Sequence, residues 1–133
     1  MKNLANCKPS EFLAQTVKIR RSVDKWLTVT DVLNIRKHKP EGFDELTSYE
    51  AKENAIAEQA RKNLLDMFDS AFEAHPEETL ELLALLCFVD PKEVDEHPMS
   101  DYLVALSDML NDESVMGFFT SLVKLGQKNT LTA

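Results

Sequence analysis

A chain of 133 residues, 44% hydrophobic and 29% charged with net charge −8, is long enough to bury a core without staples. It is also too ordinary in composition to be disordered or fibrous. Two cysteines, Cys7 and Cys87, exclude a disulfide scaffold. The longest apolar run, 82–89, is far short of the roughly 20 residues that span a bilayer. The opening MKNLANCKPSEF lacks an apolar signal-peptide stretch, so a cytoplasmic location and no membrane partner are expected. Three glycines and five prolines are few for a protein of hairpins and suit helices.

The charge is uneven. Residues 1–40 hold nine Lys/Arg against three acids, net +6, and residues 41–133 hold six against twenty, net −14. Such polarity points either to basic helices packing on acidic ones or to two surfaces with different partners.

In chain order, Pro9-Ser10 opens a first helix, with Ser10 as N-cap and Glu11 at the positive end of the dipole. Phe12, Leu13, Val17, Ile19, Val23, Trp26 and Leu27 supply its apolar positions. Thr28-Val29-Thr30 is β-branched and is expected to break it, with Thr28 or Thr30 capping a short helix that carries Val32, Leu33 and Ile35. Positive charge at Arg36-Lys37-His38-Lys39 suits that helix's end, and Pro40 and Gly42 stop it. Thr47-Ser48-Tyr49-Glu50 has capping-box spacing and begins a long helix over about 48–74. Its stripe is Ile56, Ala60, Leu64, Met67, Phe68, Ala71 and Phe72.

Pro76, followed by Glu77 and Glu78, starts the next helix. TLELLALLCFV is apolar nearly all round and reads as the central core helix. Asp90-Pro91-Lys92-Glu93 caps a short turn. Ser100 is expected to cap a helix with Tyr102, Leu103, Leu106, Met109 and Leu110 on one face. Asn111-Asp112 breaks it, and a last helix over about 113–125 ends at Gly126 as C′ residue. The fold expected is all-α: a compact single-domain bundle of six or seven helices over 1–126, with a disordered tail at 127–133.

The chemistry-bearing residues do not assemble into an enzyme on paper. Gly42, Gly117 and Gly126 are isolated, so no glycine-rich phosphate loop exists. His75 with Glu78, or His97 with Asp95, supplies two metal ligands where a zinc site needs three or four. Cys87 sits in an apolar helix, where burial raises a thiol's pKa and makes it inert. Paired acids adjoin turns and helix starts, where capping explains them. No catalytic residue, metal or cofactor is expected.

Two binding classes remain open. Lys18, Arg20 and Arg21, with Arg36, Lys37 and Lys39, form basic clusters on two neighbouring helices, a layout that helix-turn-helix proteins share. The overall pI of about 4.8 opposes nucleic-acid binding. The second class is protein binding. Adjacent helical residues point about 100° apart, so Phe118 and Phe119 cannot both enter one narrow core face. With Met109, Met116 and Leu122 they form a Phe/Met strip suited to an apolar helix, unless the helix is simply covered on two sides.

Three stretches carry a family resemblance: NCKPSEFLAQTVKIRRSVDKWL, HPEETLELLALLCFVDP and GFFTSLVKLGQ, together about a third of the chain. They resemble the small acidic tail assembly chaperones of long-tailed bacteriophages and prophages. The resemblance implies a non-enzymatic protein that holds the long, helical tape-measure protein soluble and helps tail-tube subunits assemble around it, in the bacterial host cytoplasm. It transfers no site residue. The alternative is a small phage DNA-binding or regulatory protein using 18–21 and 36–39. Neither reading sets an oligomeric state.

Overall fold

The computed structural model describes residues 1–132, with side chains described through Gly126. The fold is all-α, and no strand occurs among the described residues. The helices are α1 (Pro9–Thr30), α2 (Val32–Arg36), α3 (Tyr49–Phe68), α4 (Pro76–Leu86), α5 (Met99–Asn111) and α6 (Glu113–Thr132). A π-helical turn, Asp69–Ala74, continues α3, and short 3₁₀ turns cover Phe43–Glu45 and Pro91–Glu96. The expected tail at 127–133 lies outside the residues whose side chains are described.

The caps refine the sequence expectations. Pro9, not Ser10, is the boundary residue: α1 begins at Pro9, whose missing N–H is no loss at a first helical position. Glu11 reaches back so that its Oε1 accepts the Lys8 N–H at 3.1 Å, half of a capping box. The β-branched run does not break α1. Thr28 and Thr30 stay helical by donating their hydroxyls to the carbonyls of Asp24 and Trp26, at 2.8 and 2.6 Å. The break falls at Asp31, φ 55°, because aspartate tolerates the left-handed conformation that β-branched residues resist.

Ser48, not Thr47, caps α3: its Oγ accepts the Ala51 N–H at 3.0 Å. Ser48→Ala should cost about 1 kcal/mol, read as a lower urea midpoint at unchanged slope; an unshifted midpoint would discount the cap. Ser100 lies inside α5, which is preceded by Pro98 with no side-chain cap. Asp112 ends α5 and caps α6, its Oδ1 accepting the Val115 N–H at 3.0 Å. Gly126 lies within the span of α6 and not past its end.

Contacts divide the chain into two compact units. Unit 1 is Met1–Arg20 with Glu81–Ala133, and unit 2 is Arg21–Leu80.

Unit 1 has its core at Cys87, Tyr102 and Ala105, packed by Leu83, Leu86, Val89 and Val94. No residue from 81 to 89 is exposed, as an all-round apolar helix requires. That helix ends in a Schellman motif. Val89 N–H donates to the Ala84 carbonyl at 2.9 Å and Phe88 N–H to that of Leu85 at 3.4 Å, with Phe88 at φ 56° where glycine is usual. On α5, Tyr102, Ala105 and Met109 are buried while Leu103 and Leu110 are exposed. The inward stripe is therefore narrower than expected. Buried Gln15 of α1 donates from Nε2 to the Leu85 carbonyl at 2.6 Å.

Polar groups are prominent among the buried residues of unit 2. Thr30 and Asn63 are among its most buried residues, with Val32 and Ala71. Trp26 Nε1 donates to Thr79 Oγ1 at 2.8 Å, Thr79 Oγ1 donates to the Ala71 carbonyl at 2.6 Å, and Ser70 Oγ donates to the Thr30 carbonyl at 2.6 Å. Asn63 Nδ2 donates to the carbonyls of His38 and Arg36, at 3.0 and 3.4 Å. With Asn63 inward, Leu64, Phe68 and Phe72, which lie about 100° to 180° round the helix from it, are exposed, and so is Ile56 two turns earlier, so most of the stripe expected in the core faces outward. The π turn follows from His75 N–H donating to the Ser70 carbonyl five residues back, at 3.0 Å, immediately before Pro76, which cannot donate.

Candidate functional site

The strongest candidate is the outward face of α6 in unit 1. Among its described side chains only Val115 is buried, and Phe119 is half-buried. Met116, Phe118 and Leu122 are exposed at 40%, 38% and 50%, and Val123 and Leu125 are exposed beside them. Over 114–126 the sequence holds a single charged residue, Lys124. A helix packed along one stripe normally covers its outer face with charge. This one does not.

α1 anchors the base of α6. The Phe12 ring meets Phe118 edge-on, centroids 5.2 Å apart at 88°, and Phe119 at 6.1 Å; Phe118 and Phe119 lie 5.5 Å apart. The Phe12–Phe118 and Phe118–Phe119 pairs, at 88° and 74°, have the edge-to-face geometry that aromatic attraction favours, whereas Phe12 and Phe119 are tilted at 32°. The three rings explain how adjacent phenylalanines are accommodated: Phe119 turns partly inward while Phe118 stays at the surface. Beside them is an open depression of about 420 Å³ lined by Leu4, Cys7, Phe12, Leu13, Val115 and Phe118.

Of the five expected partner-binding residues, Met116, Phe118, Phe119 and Leu122 share α6. Met109 does not belong with them: it is 5% exposed and belongs to the buried stripe of α5. It falls at i+7 from Tyr102, on the inward stripe. Sequence reasoning missed Leu13 and Val17, exposed at 60% and 47%. They keep helical spacing with each other, four residues apart, but each stands two residues from buried Gln15, about 200° round the helix; apolar character alone does not separate them from the core positions of α1.

The basic residues are exposed, but Lys18 and Arg20 fall in unit 1 and Arg21, Arg36, Lys37 and Lys39 in unit 2. α2 has five residues, about 7.5 Å of helix, short for an element that lies along a DNA groove.

Other titratable groups have local explanations. His75 Nδ1 lies 3.8 Å from Glu78 Oε2, and His97 Nδ1 3.8 Å from Asp101 Oδ2, one turn along in each case. No group of three or more His, Cys, Asp or Glu positioned for a metal occurs among the described residues. The Glu11 carboxylate pairs with Lys2, whose hydrogen bond holds its pKa below the ordinary value.

Both cysteines are free. Burial pushes the Cys87 thiol up to about 11 from an ordinary 9.0, and burial likewise raises the Tyr102 phenol. In that window the folded chain keeps a thiol proton that the unfolded chain has released, so stability falls as pH rises from 9.0 towards about 11. Urea midpoints between about pH 8 and 11 should decline less steeply in Cys87→Ala than in the parent. Parallel slopes would remove the thiol from the explanation.

No helix among the described residues is long and apolar enough to cross a membrane. No protein-family model matches the chain, and comparison with curated proteins and with solved structures finds no match.

Proposed function

We propose that this chain is a non-enzymatic tail assembly chaperone of a long-tailed phage or prophage. It acts in the bacterial host cytoplasm, binds the tape-measure protein and promotes assembly of tail-tube subunits around it. The observation that carries the reading is the nearly uncharged, apolar outer face of α6 (Met116, Phe118, Leu122) on a chain of net charge −8. A holdase needs exposed apolar contact for its client and charge elsewhere to keep the complex dispersed. The resemblance of NCKPSEFLAQTVKIRRSVDKWL, HPEETLELLALLCFVDP and GFFTSLVKLGQ to that family supports the same reading.

The test is co-expression with the long coiled-coil tape-measure protein of the same prophage, followed by affinity purification and sizing. A soluble complex is expected, and Phe118→Ser with Phe119→Ser should abolish co-elution while circular dichroism stays helical. Precipitation of the long protein with this chain eluting alone rejects the chaperone reading. A DNA mobility shift at low salt that disappears at high salt would instead favour the basic residues.

A further inference from the structure

Unit 2 carries a second apolar feature that the α6 surface does not involve. Trp26 and Val32, from α1 and α2, line a trough of about 210 Å³ together with Leu64, Phe68 and Phe72, from α3 and its π turn. The Phe68 and Phe72 rings lie 5.1 Å apart. Val32 is buried, yet Phe68 and Phe72 are 46% and 57% exposed, so the trough is open to solvent. Its volume is below the roughly 300–1,000 Å³ of small-molecule pockets. It suits one or two apolar side chains presented by a helix.

The charge around it has one sign over a long stretch. No Lys or Arg occurs from residue 63 to residue 91. Asp66, Asp69 and Glu73 alternate with the trough residues of α3 and the π turn, and Glu77 and Glu78 follow. On the other wall, Lys25 next to Trp26 already has an interaction partner, and Asp31 precedes Val32.

We propose that this trough docks the apolar face of an amphipathic helix whose flanks carry Lys and Arg. Charge complementarity selects that occupant over a second copy of the chain. A two-fold contact would set the acidic segments of two chains with net charge −8 against each other. The inference extends the protein-binding reading to a separate surface and a partner of stated charge. It involves neither Phe118 nor Phe119, so the two can fail independently.

Trp26 is the only tryptophan and lines the trough, so its fluorescence reports occupancy directly. The full chain is titrated with a Leu/Lys amphipathic helical peptide of about five turns and with a Leu/Glu peptide of the same pattern. The Leu/Lys peptide should give a saturable shift in Trp26 emission, and the Leu/Glu peptide none. Phe68→Ser with Phe72→Ser, at exposed positions, should weaken binding about tenfold or more with helical content unchanged. Asp69→Lys with Glu73→Lys should turn the preference towards the Leu/Glu peptide. The inference is overturned by no response to the Leu/Lys peptide, by equal response to both, or by undiminished binding in the double-serine variant. It is also overturned by an emission shift that follows protein concentration alone, which would make the occupant a second copy.

Discussion

Tyr102→Ala should destabilise the protein by about 3–5 kcal/mol, a large share of the 5–15 kcal/mol typical of a whole domain. Tyr102 is 2% exposed and forms the unit 1 core with Cys87 and Ala105. Its hydroxyl donates to the Val94 carbonyl at 2.8 Å, tying α5 to the 3₁₀ turn at Pro91–Glu96. Alanine removes the ring, leaves a cavity among Leu83, Leu86 and Val89, and strips that carbonyl of its donor. Tyr102→Phe keeps the ring and separates the two losses; it should cost about 0.5–1.5 kcal/mol, the net worth of a hydrogen bond whose acceptor lies in a largely exposed turn. Chemical unfolding of both variants is the measurement. Equal losses would assign the effect to the hydrogen bond, and a negligible loss for alanine would mean that this cluster is not the core.

Asn63→Asp should cost about 3 kcal/mol or more at neutral pH and much less in acid. The Asn63 amide donates to the carbonyls of Arg36 and His38, while its oxygen accepts from Gln59 Nε2 at 2.8 Å. A carboxylate keeps the acceptor role, but directs negative charge at two carbonyl oxygens in a buried position. Burial and those dipoles hold the new acid's folded pKa above the unfolded value of about 3.9. The folded state therefore retains a proton that the unfolded chain releases, and the defect grows as pH rises from about 4 through the raised value. Asn63→Leu removes the donors without adding charge and should lose about 1–3 kcal/mol at every pH. Urea unfolding of the two variants over acidic to neutral pH decides the matter. A pH-independent loss in Asn63→Asp would contradict the burial of that side chain.

These two positions mark the limit of what the sequence determined. Helix type was legible because the punctuation is local. Pro9, Pro76 and Pro91 sit where a missing N–H is harmless, acids follow each of them, and Asp112 separates α5 from α6. The all-round apolar run at 79–89 announced a covered helix by composition alone. The adjacent Phe118 and Phe119, and hence the candidate surface on α6, were equally visible.

Which side of each helix faces inward was a different question, settled only by tertiary structure. Periodicity marks an apolar stripe but does not say whether a neighbour covers it. In α3 the stripe through Leu64, Phe68 and Phe72 lost the interior to Asn63, because an amide there meets two carbonyls near the end of α2, an arrangement no single segment encodes. In α5, Met109 went inward beside Tyr102 and left the Phe/Met strip without its first member. Local chemistry fixed where the helices start and stop; the burial of each face depended on partners distant in sequence, and with it the choice between core and binding surface.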